Sequence, residues 1–421
     1  MTPSRQHPSR RDFLALGGGL GAALALAACG SDSGRSGGST GLSQWYHQYG
    51  EAGTEQAVKR YAAQYKKAKV SVTWVTGDYD RKAAAALLKS GGPDVFEAGN
   101  GPTIDQIRGK QALGLGDILG DAASDFNDAL VKRMTYQGTL YAVPQTIDMQ
   151  LLVYRKSMLD KAGVSVPQTM DELIDAAKTL TTKDVKGLFV GNDGGVGVLG
   201  GPALWSAGLD YLTADNQVGF DDPAAAQSLG KLHELFKSGA LLLGAPTDWS
   251  DPSAIAQGLT AMQWTGLWTF PALKKALGDD FGVAPWPKLS DSVGAASVPI
   301  GAYGSAVNAK SRHTDAAKAY VKWLWVDNTA DQLDFAQSYG FHIPARKSLA
   351  AKATGLKTGA AADAVQLAST VGKAQTPILW TPASGTAYQD AVSRIIKDGA
   401  DPAGQLKSVI AKVKSELKRV S

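Results

Sequence analysis

Strand-like and helix-like segments alternate along this chain from about residue 42 to about residue 300, and that order narrows its fold more than any other feature. Val70 to Val75 alternates and is rich in β-branched residues, so it reads as a strand. Before it, Thr54 to Lys67 carries Ala57, Tyr61 and Tyr65 at helical spacing. Asp80 to Lys89 reads as a second helix, stopped by Ser90, Gly91, Gly92 and Pro93, and Asp94 to Phe96 as a short strand. Thr169 and Glu172 form a capping box ahead of Leu173, Ile174 and Ala177. Asp222 and Pro223 supply an N-cap and an N1 proline for a helix over 224–237, which Gly239 ends. Thr314 and Asp315 open a long helix through Trp325. A last helix, about 402–419, sets Leu406, Ile410 and Val413 on one face. The alternation predicts an α/β protein with largely parallel sheets. No repeat of 20–50 residues is present, which excludes solenoids and propellers.

The N-terminus reads as an address. Ser9-Arg10-Arg11-Asp12-Phe13-Leu14 is a twin-arginine pattern, followed by a short apolar run to Ala28. The run ends Leu26-Ala27-Ala28-Cys29, the pattern of a lipidated cysteine. A basic start, an apolar stretch and a small-residue cleavage site mark a signal peptide. Residues 1–28 are therefore expected to be removed, and Cys29 to carry lipid on the outer face of the cell membrane. Residues 29–41, rich in Gly and Ser, read as a flexible tether. Cleavage takes three arginines and one aspartate from totals of 43 and 39, leaving a net charge near +2. That excludes the concentrated basic face of a nucleic-acid binder. The remaining 393 residues (421 less 28) suffice for two domains. Cys29 is the chain's single cysteine, so neither a disulfide nor a thiol nucleophile is expected.

Signatures of catalysis and metal binding are absent. His47, His233, His313 and His342 have no partner at metal-ligand spacing, and there is no HExxH or GxSxG. Gly195-Val196-Gly197-Val198-Leu199-Gly200 is a literal GxGxxG, but it lies mid-chain rather than at the first strand–helix turn. It reads as a loop beside a cleft. No cofactor is expected. A pair of carboxylates for glycoside hydrolysis is not singled out by any spacing.

Tryptophan is more informative. Ten are present, and Trp45, Trp205, Trp249, Trp264, Trp268, Trp286 and Trp380 sit in segments broken by Gly and Pro. Trp74, Trp323 and Trp325 sit in regular apolar patterns and read as core. Flat indoles stack on the C–H faces of pyranose rings, while Asp, Asn and Gln bond hydroxyls. Loop tryptophans fit a sugar cleft; packing between elements is the alternative for each.

A family pattern then runs collinearly over nearly all the chain after Cys29. Its segments are Pro93 to Phe96, Tyr136 to Pro144, Leu151 to Gly163, Pro167 to Leu173, Phe220 to Pro223, Leu232 to Gly239, Ala261-Met262, Gly266 to Trp268, Ser311 to Ala317 and Gly340 to Arg346. These resemble the family 1 extracellular solute-binding proteins, the maltose-binding-protein-like receptors of ABC sugar importers. The resemblance implies two α/β lobes joined by hinge crossovers, the type II arrangement, with the ligand in the cleft between them. One lobe would hold 42–147 and 304–343, the other 151–300 and 345–421. It implies Asp148 as an acceptor for sugar hydroxyls and Trp268 as a stacking platform, with Leu267 where relatives have proline. Asn100 falls in a loop that carries polar sugar ligands, and Ala98 stands where relatives have an aromatic. Trp45, Tyr46, His47, Gln145, Trp205, Tyr303 and Trp380 are further candidates. Gly266 and Gly301 would let the backbone approach ligand closely.

The implied function is a monomeric, lipid-anchored receptor that hands a mono- or oligosaccharide to an ABC permease without breaking a bond. The same fold holding a polyamine, chelate or phosphorylated solute, an exported glycosidase, and a ligand sensor for a membrane kinase are the alternatives.

Overall fold

The chain crosses between two sheets, and these crossings determine where a cleft can form. The computed structural model describes residues 41–421, which belong to one compact unit. The twin-arginine segment, Cys29 and the tether up to residue 40 lie outside the described residues.

The first sheet runs in the order Lys69–Val75, Gly41–His47, Val95–Gly99, Tyr303–Val307, Val143–Pro144. Its first three strands are parallel and the last two pair antiparallel with their neighbours. The second sheet runs Gly372–Ala374, Val298–Gly301, Thr146–Tyr154, Thr260–Gly266, Lys186–Phe189. One residue after Pro144 the chain has left the first sheet and entered the second. It returns between Gly301 and Tyr303, and passes to the second sheet once more before Gly372–Ala374.

The nine-residue strand Thr146–Tyr154 is the longest, and its neighbours Val298–Gly301 and Thr260–Gly266 both run antiparallel to it. Gly282–Ala284 and Ile343–Pro344 also pair with it. This corrects the expectation of largely parallel sheets. The strand enters from the other lobe, so it runs against neighbours that belong to local strand–helix units.

Two apolar clusters flank this strand, because successive side chains point to opposite faces. Met149, Leu151 and Val153 join a cluster with Tyr46, Phe96, Ile300, Tyr320 and Trp325. Leu152 joins the other, with Met262, Trp264, Trp286, Tyr388, Ile395 and Leu406. Asp148 and Gln150 share the face of Leu152 and are only half-buried, which leaves two polar side chains at the edge of the core.

The helix signals fold as their chemistry dictates. Thr169 Oγ accepts from the Glu172 N–H at 3.2 Å while Glu172 accepts from the Thr169 N–H at 3.3 Å. Asp222 caps the helix Pro223–Lys237 by accepting from the Ala224 N–H at 2.8 Å. The helix expected through Trp325 is α-helical over Thr314–Lys322 and then widens to a π-helical turn, Trp323–Asp327. The last helix is Pro402–Val420.

Trp264 and Trp286 are fully buried and meet edge-to-face, with centroids 5.4 Å apart. Trp205 is also core, at 2% exposure. Three of the seven tryptophans assigned to loops by their Gly/Pro neighbours are therefore core residues, and Trp264 sits within a strand. Trp74, read as core, is half-buried against Tyr49. Trp286→Ala is expected to cost about 3–5 kcal/mol through its cavity. Trp286→Phe should cost less, because the indole N–H it also removes has no protein acceptor among the described residues. Urea unfolding of both variants measures the difference.

Candidate functional site

Both lobes and the first two crossings line one cavity of about 790 Å³. His47 to Ala52 reach it from the end of the first strand, and Tyr339 and His342 from the same lobe. Ser250 to Ser253, Trp268, Thr269, Pro271 and Ala272 reach it from the other lobe, with Asp148 and Tyr303 at the crossings. No Lys or Arg lines it.

The first-lobe wall is a polar aromatic cluster. Glu97, 1% exposed, accepts from the His47 N–H at 2.9 Å and from the Tyr49 hydroxyl at 2.6 Å. The His47 ring Nδ1 lies 2.7 Å from the same carboxylate. His47 stacks on Tyr303 with centroids 3.8 Å apart and planes 16° apart. Tyr79 closes the network from behind, accepting from the Glu97 N–H at 3.0 Å and donating to its carbonyl at 2.9 Å. A buried carboxylate is tolerated only when its lone pairs are filled in this way.

At the crossing, His342 stands between two acids. Its Nδ1 is 2.5 Å from Asp148 Oδ1 and its Nε2 is 2.9 Å from Glu51 Oε1. Asp148 is held by backbone pairing opposite Gly301. The two acids sit on opposite ring nitrogens, so the trio does not converge on a common centre. Among the described residues no group of three His, Cys, Asp or Glu is arranged to hold a metal.

On the second-lobe side, Trp268 lies across Gly266. A Cβ at Gly266 would meet the Trp268 ring at 2.0 Å. The indole N–H donates to the Ser250 carbonyl at 3.0 Å, and Trp249 packs edge-on at 5.8 Å. The ring is thus pinned on its back and edge, half-buried, with its remaining surface in the cavity.

Of the expected site residues, the structure brings His47, Asp148, Trp268 and Tyr303 together here. Trp205 and Trp380 line a second cavity of about 260 Å³ with Gln150, Tyr211, Gln375 and Tyr388. The others lie elsewhere. Tyr46 is fully buried, because alternation along Gly41–His47 turns it to the opposite face from His47; it is a core residue. Trp45 borders a separate groove with Lys82 and Lys89. Gln145, 3% exposed, sits behind Tyr49, whose hydroxyl is 3.4 Å from its Oε1. Asn100, at φ 57°, donates to Gln375 Oε1 at 3.1 Å and accepts from the Ala302 N–H at 3.2 Å; both its polar ends are taken by the chain. Gly301 is filled likewise, since a Cβ there would meet Asn100 Oδ1 at 2.3 Å. Gly266 seats Trp268 and Gly301 seats Asn100, so neither opens the backbone to a ligand. In the GxGxxG loop, the amides of Gly195 and Gly197 donate to the Asp193 carboxylate at 2.9 and 2.7 Å. That carboxylate takes the donors a phosphate would need.

Glu51, Tyr49, Glu97, Ser250, Asp251 and His342 were not singled out from the sequence. His342 falls inside the Gly340 to Arg346 segment, which was the available signal.

A match to the model of the bacterial extracellular solute-binding proteins spans residues 45–325. The chain belongs to this family. Among curated relatives, the diacetylchitobiose binding protein DasA of Streptomyces coelicolor is 28% identical over 401 residues, covering 88% of this chain and 89% of that one. The galactooligosaccharide-binding protein of Bacillus subtilis is 24% identical over 420 residues, covering 94% of each. Among solved structures, a solute-binding protein of Thermotoga lettingae with α-D-tagatose superposes with a TM-score of 0.76 at 22% identity, covering 90% of this chain and 100% of that one. The GacH receptor of Streptomyces glaucescens gives 0.74 at 24% identity, covering 90% and 99%. The two-lobed type II fold of these receptors is the fold of this chain.

The charge on His342 sets a pH signature. Burial alone would lower its pKa; the Asp148 carboxylate and the bonds to Asp148 and Glu51 override this and raise it to about 10. Burial pushes Glu51 up, but His342 pulls it below the usual carboxylate range. A histidine raised on folding stabilises fully below its unfolded pKa of about 6.5, and the contribution is lost as pH rises through the folded value. The Glu51 contribution has the opposite sign and fades as pH falls into the acid range. The melting midpoint should therefore fall between pH 7 and 10 more steeply for the native chain than for His342→Gln. Thermal melts across that range measure it, and parallel curves would remove the charge from the account.

Proposed function

We propose that this protein captures a mono- or oligosaccharide in the cleft between its lobes and delivers it to an ABC permease. The observation that carries the reading is Trp268, whose indole is pinned across Gly266 on the same cavity as Asp148, His47 and Tyr303. A rigid aromatic face beside fixed acceptors matches a pyranose, which is apolar on its faces and hydroxylated around its rim. DasA is a diacetylchitobiose binding protein, the Bacillus subtilis relative binds galactooligosaccharide and GacH has been solved with acarbose, which supports the same class here.

The cavity chemistry weighs on the alternatives. A phosphorylated solute calls for Arg, Lys or a free helix N-terminus; no Lys or Arg lines the cavity, and the start of the helix Phe270–Leu277 is the feature of that kind at its wall. A glycosidase needs one carboxylic acid kept protonated. His342 instead favours the ionised form of Glu51. Binding without bond cleavage fits these residues best. Closure then follows from differential affinity, the ligand drawing the population toward lobes that contact it from both sides.

In this reading 42–147 with 304–343 form one lobe, and 151–300 with 345–421 the other. The chain acts as a monomer, exported by its twin arginine and held by lipid on Cys29 outside the cell membrane. No helix among the described residues is long and apolar enough to cross a membrane.

A thermal-shift screen against mono-, di- and oligosaccharides, with polyamines and phosphorylated solutes as controls, tests the cargo. Ligand at 100 times its dissociation constant stabilises by about 2.7 kcal/mol, a readable shift. A response to a control alone would overturn the sugar class. Trp268→Ala should weaken saccharide binding by about 1–3 kcal/mol, of which stacking supplies about 0.5–1.5 kcal/mol. Unchanged affinity would take Trp268 out of the site. Separately, Cys29→Ser should move the protein from the membrane fraction to the soluble fraction; continued membrane retention would refute the anchor.

A further inference from the structure

His342 is not used by anything so far assigned to the cleft, yet it touches the one acid that lies on a crossing strand. It is 5% exposed and comes from the segment just before Ile343–Pro344, which pairs with the long strand beside Asp148. Its own backbone is fixed twice. Its N–H donates to the Ala336 carbonyl at 3.0 Å, and its carbonyl accepts from the Gln337 side chain at 3.1 Å. Phe335 lies parallel to the ring at 6.5 Å and 19°. The imidazole therefore has one orientation available to it.

Each ring nitrogen meets one oxygen of one carboxylate. Among the described residues His342 is the one side chain that bonds the Asp148 and Glu51 carboxylates, and the Glu51 carboxylate also lies beside its own backbone N–H. Both residues line the inter-lobe cavity, with side chains 21% and 10% exposed. Neither carboxylate is sealed in the core.

We propose that His342 is a positioning residue for ligand binding: it clamps Asp148 and Glu51 so that the two carboxylates face the cavity as a fixed pair of hydrogen-bond acceptors. This rests on the saccharide reading above and says how the cleft orders its acceptors in advance. Two loose carboxylates in one cavity would repel each other and lose side-chain freedom on binding. A shared cation between them removes the repulsion and takes that ordering cost at folding. The clamp also spans two parts of the molecule, since Glu51 lies on the loop after Gly41–His47 and Asp148 lies where the chain crosses to the second lobe. The charged groups facing the ring are Glu51 and Asp148, with His47 acting on Glu51 from the cavity wall.

The test has two arms on the full chain. In the first, nitrogen-15 spectra of labelled histidine are followed from pH 6 to 10.5. His342 should keep both ring nitrogens protonated through pH 9, and Asp148→Asn should bring its titration down. A neutral His342 ring at pH 7 overturns the proposal, and this arm needs no ligand and no His342 variant that folds. In the second arm, N,N′-diacetylchitobiose, galactobiose and maltotriose are titrated by calorimetry against the native chain, His342→Gln, Asp148→Asn and the double variant. His342→Gln should lose tenfold or more in affinity for whichever probe binds the native chain, and the double variant should bind no worse than Asp148→Asn alone. Additive losses, or native affinity in His342→Gln, overturn the clamp while leaving the saccharide reading intact. Silence of the native chain toward all three probes and toward the wider saccharide panel overturns the saccharide reading and the clamp's role in binding together.

Discussion

The nine backbone positions of Thr146–Tyr154 hold this molecule together. The strand is the one element that pairs with four others and contributes side chains to both apolar clusters. The second sheet assembles around it, and the first sheet ends one residue before it begins. Because its faces alternate, the same strand that packs Met149, Leu151 and Val153 inward must present Asp148 and Gln150 on the other side. Those two side chains line the two cavities on which the functional reading rests. Moving the register by one residue would turn Asp148 and Gln150 into the cluster of Met149, Leu151 and Val153, so the packing energy of the cores fixes where these two polar side chains stand.

The polar chemistry of the cleft depends on satisfied carboxylates. Glu97 is buried, and the His47 and Tyr49 donors answer it from the end of the neighbouring strand and the loop after it. Asp148 and Glu51 are answered by His342. For Glu97, removing the donors would strand an anion in a dry site, which costs far more than the pairs contribute. These networks therefore select one arrangement of the wall rather than adding much net stability, and a rigid wall suits recognition of hydroxyl groups.

Much of the fold was legible because its signals are local. Thr169 with Glu172, and Asp222 with Pro223, specify helix starts within four residues of chain. The site was legible only in part. Asp148 and Trp268 were singled out through a family pattern, and the structure places both on the inter-lobe cavity. Tyr46 was misplaced because neighbouring residues on a strand face opposite ways, and the choice of face depends on which sheet covers it. Trp264 and Trp286 looked loop-like because glycine and proline flank them, yet tertiary packing buried them. Gly266 and Gly301 were read as openings, but their space is filled by side chains placed by other segments. His342 was passed over because its partners lie 194 and 291 residues away. No spacing rule reaches that far.

The same distances explain why the clamp belongs to the hinge rather than to one lobe. Asp148 stands opposite Gly301, the residue from which the chain returns to the first sheet. Gly301 in turn has no room for a side chain because Asn100, bonded to Ala302 and Gln375, occupies it. The first two crossings, the end of the strand Val95–Gly99 and the segment after Gly372–Ala374 therefore meet within a few side chains of Asp148. In the proposed reading, a hydroxyl bonded to Asp148 would pull on the point where the lobes are joined, while the Trp268 indole would hold the same ring from the second lobe. Contacts from both sides exist together only when the lobes approach, and that difference in affinity is what a hinge needs to convert binding into closure.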